Sequence, residues 1–125
     1  MKKVLMIVAA AAVMTAGIAV NEAVAGAEGK CKACHNFDAT NKVGPGLAGV
    51  VGRAAGKHEG FKYSDSLAGA NWNWDEAHLR KWMCDSASAV KEFTGKADAK
   101  TKMPPQKVCD AAKQDEVLAF LKGLK

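Results

Sequence analysis

Apolar residues recur at helical spacing in the second half of the chain, and there they predict helices. Leu79, Trp82 and Met83 stand at positions i, i+3 and i+4, so they form one apolar face. Asn73 precedes this stretch with an acidic residue three positions later, which is a capping-box pattern. We therefore expect a helix that begins after Asn73 and ends near Asp85.

The last predicted helix runs from about Ala111 to Leu124. Its expected buried positions are Val117, Phe120, Leu121 and Leu124. Shorter helices are expected at residues 64–70 and 21–34, although two glycines weaken the second of these.

The stretch from residue 36 to residue 63 has no helical or strand period. Its glycines are Gly44, Gly46, Gly49, Gly52, Gly56 and Gly60. No helix or strand of normal length fits between them, and a loop this long in a compact domain is usually functional. Residues 86–107 are polar, contain one glycine and two prolines, and are also expected to form a loop. Since no alternating strand pattern appears, the sequence predicts an all-α protein with long loops.

The start of the chain has the pattern of a secretory signal peptide. Lys2 and Lys3 precede an apolar run, and small residues at Ala23 and Ala25 then form an A-x-A cleavage site. We expect a signal peptide over 1–25, with cleavage after Ala25 or alternatively after Ala19, and a single domain over 26–125. The alternative is an uncleaved anchor facing the periplasm, since the apolar run of about 17 residues reaches the lower limit for a membrane span.

The charge balance is moderately basic, with 18 Lys and Arg against 13 Asp and Glu. Such an excess favours docking on acidic protein surfaces. The basic residues form neither a basic helix nor a stripe interleaved with aromatic residues, so no nucleic-acid partner is expected.

The stretch Cys31-Lys32-Ala33-Cys34-His35 reads C-x-x-C-H, the attachment sequence of a c-type haem. Two thiols at this spacing, on one turn of helix, can each add to one vinyl group of the same porphyrin. The following imidazole, His35, then lies under the iron as an axial ligand. We therefore expect one covalently bound haem c.

Other uses of this motif need residues that the chain does not offer nearby. A zinc knuckle normally brings a second C-x-x-C or a His pair, and a thioredoxin-type pair follows a strand in a βαβ pattern. The remaining cysteines, Cys84 and Cys109, are far apart in the chain. Because export leads to an oxidising compartment, these two are expected to form a disulfide.

Seven short motifs in a fixed order resemble the class I c-type cytochromes, the small bacterial relatives of mitochondrial cytochrome c. They are C-K-A-C-H at 31–35, G-P-G-L at 44–47, G-V-V-G-R at 49–53, F-K-Y-S-D at 61–65, W-D-E at 74–76, T-K-M at 101–103 and V-L-A-F-L at 117–121. The resemblance implies a small all-α cytochrome c fold. In it, helices and long glycine-rich loops wrap around one covalently attached haem.

The resemblance also implies roles for individual residues. The carbonyl of Pro45 would accept the Nδ1 proton of His35. Met103, in a loop before two prolines, would be the sixth ligand of the iron. Other expected haem contacts, as donors on the propionate side, are Arg53, Tyr63, Trp74 and Thr101. The rival axial ligands are His58 and His78, expected at the solvent-exposed surface, and Met83, expected in the core.

Two departures from the family pattern affect the expected packing. Ala23 and Ala27 stand where the family's first helix has a glycine and an aromatic residue that pack on the last helix. The segment from Trp82 to Met103 is longer than in mitochondrial cytochrome c, and Trp82 itself falls where the family usually has a tyrosine beside the methionine ligand.

The resemblance further implies a monomeric periplasmic electron carrier that is not an enzyme and binds no small-molecule substrate at iron. Expected partners are membrane redox complexes or periplasmic oxidoreductases, met transiently and partly through charge. The lysines expected to rim the haem edge are Lys30, Lys32, Lys42, Lys100, Lys102 and Lys107. The alternatives are a dedicated cytochrome subunit of a dehydrogenase or sulfur-oxidising enzyme, or a gas-binding or peroxidatic haem protein.

Overall fold

The computed structural model describes residues 26–125 as five helices joined by long loops. The helices are α1 (Gly29–Lys32), α2 (Asp65–Ala68), α3 (Glu76–Cys84), α4 (Ser86–Thr94) and α5 (Ala111–Lys122). Only an isolated bridge between Ala54 and Asn73 resembles strand pairing in this part of the chain, so the predicted all-α class is confirmed. The predicted signal peptide, its cleavage sites and the start of the predicted first helix lie outside the described residues.

The helix α3 begins two residues later than predicted, because Asp75 and not Asn73 is its N-cap. The Asp75 carboxylate accepts a 2.8 Å hydrogen bond from the backbone N–H of His78, whereas Asn73 is used in the bridge to Ala54. The predicted apolar face is correct, since Leu79, Trp82 and Met83 are the buried residues of this helix. In the described residues, no helix has both the length and the apolar character that a membrane crossing requires.

The prediction of a loop directly after Asp85 was wrong, because α4 begins there. The Asp85 carboxylate accepts a 3.1 Å hydrogen bond from the N–H of Ser88, so the residue that ends α3 is also the N-cap of α4. Gly95, in the left-handed conformation with φ 70°, ends the helix. Ala89 and Val90 are buried on the inner side of this helix, and the irregular stretch is therefore shorter than expected.

Helix α5 packs against α3 and closes the core. It ends at Lys122, earlier than predicted, and Val117, Leu118 and Leu121 are its buried apolar residues. Phe120, expected to be buried, is only partly so and packs edge-to-face on Phe37, with ring centroids 4.7 Å apart. The aromatic partner of this helix thus comes from the loop after the C-x-x-C-H motif.

The end of α3 is tied to the segment that precedes α5. Cys84 and Cys109 form a disulfide with a Cα–Cα distance of 4.5 Å. Beside it, the N–H of Val108 donates to the carbonyl of Met83 and the N–H of Lys107 to that of Cys84, both at 3.0 Å. These links fix the C-terminal end of the segment that carries Met103 to the end of α3, where α4 begins.

Candidate haem site

An apolar cavity of about 280 Å³ opens between the helices and the glycine-rich loop. Each residue that the sequence predicted to contact the cofactor lies on its wall: Cys31, Cys34, His35, Pro45, Arg53, Tyr63, Trp74, Thr101 and Met103. Much of the remaining wall is apolar and comes from the core, including Leu47, Val50, Leu67, Leu79, Met83 and Leu121. The cavity therefore has the character that a flat apolar cofactor requires.

One side of the cavity carries an imidazole in a fixed tautomer. The Nδ1 of His35 lies 2.7 Å from the carbonyl oxygen of Pro45. A carbonyl can only accept, so Nδ1 carries the proton and Nε2 keeps its lone pair. Burial lowers the pKa of His35; the bond to Pro45 opposes this shift, and the charge of Arg53 adds to it. A neutral imidazole held in this way is suited to bind iron.

The imidazole lies directly against the backbone of Gly44. A Cβ atom at this position would come within 2.6 Å of His35 Nδ1, closer than real Cβ contacts allow. The glycine is therefore required by the close approach of the ring, and not by an unusual backbone angle.

We predict that Gly44→Ala destabilises the haem-loaded protein by about 1–3 kcal/mol, since the ring must move or the loop must open. Urea unfolding followed by haem absorbance measures this change. Gly29→Ala is the matched control, because a Cβ there would have no neighbour within 4 Å. Equal stabilities of the two variants would show that the loop yields without cost.

The wall of the same cavity also carries the Met103 thioether. The indole Nε1–H of Trp82 donates to its sulfur at 3.0 Å. The Met103 N–H donates to Thr101 Oγ1 at 3.2 Å, and its carbonyl accepts from Ser86 Oγ at 2.8 Å. A thioether sulfur has two lone pairs, so one remains for a metal while the other accepts from Trp82.

A half-buried cation lies at another part of the wall. Arg53 donates from Nη1 to the carbonyl of Ala48 and to Nδ1 of His58, both at 3.1 Å. Its Nε is buried without a hydrogen-bond partner, and among residues 26–125 it makes no ion pair with a carboxylate. A partly buried charge without a counterion, with one N–H unpartnered, is unfavourable, so this part of the cavity fits an anionic group such as a haem propionate.

The two rival histidines lie away from this cavity. His58, expected to be exposed, is half-buried because Nε2 donates to the carbonyl of Ala39 at 2.9 Å and Nδ1 accepts from Arg53. His78, also expected to be exposed, is partly covered because its ring stacks on Trp72 with an interplanar angle of 7°. Both expectations of solvent exposure were wrong, and neither ring lines the cavity. Met83 does line it, from the buried face of α3.

The lysines expected around the cavity mouth are only partly found there. Lys30 and Lys102 line the cavity. The Nζ of Lys42 instead donates to the carbonyl of Lys32 at 3.2 Å. Lys100 instead lies at a polar cleft next to α2 and α4. The exposed side chain of Val43, at 72% of its maximum, stands among the lining residues and was not singled out from the sequence.

The contact of Ser86 with Met103 was not predicted from the sequence. A serine at the start of a helix is ordinarily interpreted as a cap, and its contact with Met103 depends on tertiary structure. A zinc site at the C-x-x-C-H motif, the alternative to haem, would need further ligands. In the described residues, no three His, Cys, Asp or Glu side chains cluster as a metal site.

Comparisons with known proteins agree with this geometry. No family model matches the chain. It is 49% identical over 63 residues to the cytochrome c2 iso-2 of Magnetospirillum fulvum, a match over 50% of this chain and 66% of the relative, just under two thirds of that protein's length. It is 36% identical over 100 residues to the cytochrome c-550 of Novispirillum itersonii, a match over 76% of this chain and 89% of the relative.

Among solved structures, the ferricytochrome c2 of Rhodopseudomonas palustris superimposes with a TM-score of 0.70 at 37% identity. The alignment covers 83% of this chain and 95% of that one. The likeness therefore extends over most of both chains.

Proposed function

This chain belongs to the class I c-type cytochromes, and from that premise we propose that it shuttles single electrons between redox partners through one His/Met-ligated haem c. The observation that carries the proposal is the cavity itself. Cys31, Cys34 and His35 lie on its wall together with the thioether of Met103. These are two attachment thiols and two axial ligands for one iron.

Each group on the wall would have a separate task toward the haem. Cys31 and Cys34 would hold it covalently, and His35, oriented by Pro45, would bind the iron through Nε2. Met103, oriented by Trp82, would bind it on the other face. Arg53 would neutralise a propionate, with Tyr63, Trp74 and Thr101 as further contacts. The bound haem supplies the Fe(II)/Fe(III) couple.

The same wall favours the reduced state of the iron. A thioether ligand stabilises ferrous iron, and an apolar environment disfavours the additional charge of ferric iron. With both axial positions filled, no substrate would reach the metal. We therefore propose an electron carrier and not an enzyme.

We further propose that the protein acts in the periplasm after removal of residues 1–25. Its partners would be membrane redox complexes or periplasmic oxidoreductases, which it would meet as a monomer. Val43 offers an exposed apolar contact on the cavity wall, Lys30 and Lys102 line the same cavity, and Lys42 adjoins Val43 in the chain. A partner with an acidic rim around an apolar centre fits this surface.

A potentiometric titration of the purified holoprotein tests the proposed function. The absorbance of the haem should follow a single one-electron Nernst curve with a positive midpoint potential. A midpoint well below zero, or more than one redox step, would contradict a single His/Met haem.

We predict that salt changes the rates of oxidation by small reagents in opposite directions. The screening length falls from about 10 Å at 0.1 M salt to about 3 Å at 1 M. Oxidation by anionic ferricyanide should therefore slow across this range, whereas oxidation by a cationic cobalt–phenanthroline complex should become faster. Stopped-flow absorbance measures both rates.

Lysine variants locate this effect on the surface. Lys102→Gln should reduce the salt dependence with ferricyanide more than Lys113→Gln, since both side chains are exposed but Lys102 lines the cavity and Lys113, on α5, does not. Equal effects of the two substitutions would indicate that net charge alone, and not the rim, steers the reagents.

A further inference from the structure

The segment that carries Met103, residues 100–106, has an unusual hydrogen-bond pattern. None of its described residues makes a backbone-to-backbone hydrogen bond. Pro104 and Pro105 have no N–H to donate, and the segment belongs to no helix. The hydrogen bonds that position this segment therefore all involve side chains.

Three of these side-chain contacts act at the two ends of the segment. They are Ser64 Oγ to the Lys100 carbonyl at 2.8 Å, the Lys100 N–H to Ser66 Oγ at 3.0 Å, and Lys30 Nζ to the Gln106 carbonyl at 3.2 Å. Only Ser86 joins the main chain of Met103 to a helix, at 2.8 Å. The Met103 N–H, in contrast, is bonded within the segment, to Thr101.

The hydroxyl of Ser86 is available for this contact because of how α4 begins. Ser86 is the first residue of the helix and is fully buried, with 0% of its surface exposed. The adjacent Asp85 performs the capping and bonds both the N–H and the hydroxyl of Ser88. Ser86 is thus released from the usual role of a serine at a helix start and donates across to Met103.

We propose that Ser86 is a positioning residue for the sixth ligand: its hydroxyl holds the main chain of Met103 and so determines how readily the thioether leaves the iron. The inference rests on the proposed function, in which Met103 binds the haem iron. Without the hydroxyl, the Met103 carbonyl loses the one hydrogen-bond partner that it has among the described residues. It can then regain a partner, such as water, when the segment moves away.

Binding of imidazole to the ferric holoprotein tests this proposal, since imidazole must displace Met103. Ser86→Ala should raise the apparent imidazole affinity about tenfold, equivalent to about 1.4 kcal/mol. Ser88→Ala is the matched control, because its exposed hydroxyl bonds only to Asp85, and it should leave the affinity unchanged. Should Ser86→Ala fail to load haem, Ser86→Gly removes the same hydroxyl with less side chain.

The same titration in a Met103→Ala background separates positioning from a general effect on the pocket. There, adding Ser86→Ala should leave the imidazole affinity unchanged, because no thioether remains to be held. A tenfold rise in both backgrounds, or no rise with Met103 present, would overturn the role of Ser86.

The outcomes also distinguish the two proposals. If Met103→Ala raises the imidazole affinity and Ser86→Ala does not, the ligand assignment stands and the role of Ser86 falls. If Met103→Ala leaves the affinity unchanged, Met103 is not the ligand, and both proposals are contradicted.

Discussion

Replacing Met103 by alanine should open the iron to external ligands. The thioether lies on the wall of the same cavity as an imidazole that is already fixed by Pro45, and alanine offers no donor atom. We expect the ferric protein to lose the weak long-wavelength thioether–iron charge-transfer band and the ferrous protein to bind carbon monoxide. The midpoint potential should fall by on the order of 0.1 V, within the roughly 0.8 V range that axial ligands cover.

Met83→Leu is the control for this substitution. Met83 is the other methionine on the cavity wall, and a Met-to-Leu exchange in a core usually costs less than about 1.5 kcal/mol. Its spectrum should match that of the unsubstituted protein. If Met103→Ala leaves the spectrum unchanged and Met83→Leu alters it, then Met83 is the ligand and the assignment of Met103 is wrong.

Removing the disulfide should loosen the methionine ligand before it unfolds the domain. Cys84 and Cys109 are separated by 25 residues, and chain-entropy arithmetic for such a loop gives about 3.5 kcal/mol of stabilisation as an upper figure. The bond lies next to the two hydrogen bonds that tie residues 107 and 108 to α3. Residues 100–106 are otherwise held by side chains, so they should detach first.

The Cys84→Ser/Cys109→Ser double variant measures this effect. We expect its urea midpoint to fall and its thioether band to disappear at a lower urea concentration than the absorbance change of global unfolding. Coincident loss of both signals would show that the bond stabilises only the whole domain. Thiol titration of the unfolded, unreduced holoprotein should find no free thiol, whereas two free thiols would contradict the disulfide.

The sequence predicted the parts of the structure that depend on local pattern. The apolar face of α3 followed from the spacing of Leu79, Trp82 and Met83. Its N-cap did not, because Asn73 and Asp75 are both good caps and the choice depends on the bridge from Asn73 to Ala54. Helix α4 was missed since a single residue, Asp85, ends one helix and begins the next.

The candidate site followed from the sequence to the extent that its chemistry is encoded in motifs. C-x-x-C-H indicated a haem, and the resemblance to the cytochromes assigned the residues that would contact it. The contacts that orient these groups are tertiary: Ser86 meets Met103 from 17 positions away, and Phe37 meets Phe120 across the core. The half-burial of His58 was likewise hidden, since a histidine among glycines carries no sign of the arginine that bonds to it.

The optical spectrum of the purified holoprotein, oxidised and then reduced with carbon monoxide added, tests the central claim most directly. A low-spin haem with filled axial positions should show the thioether charge-transfer band when ferric. Its ferrous spectrum should not change when carbon monoxide is added. A high-spin ferric spectrum together with ready binding of carbon monoxide would contradict the His/Met electron carrier and favour a gas-binding or peroxidatic haem protein.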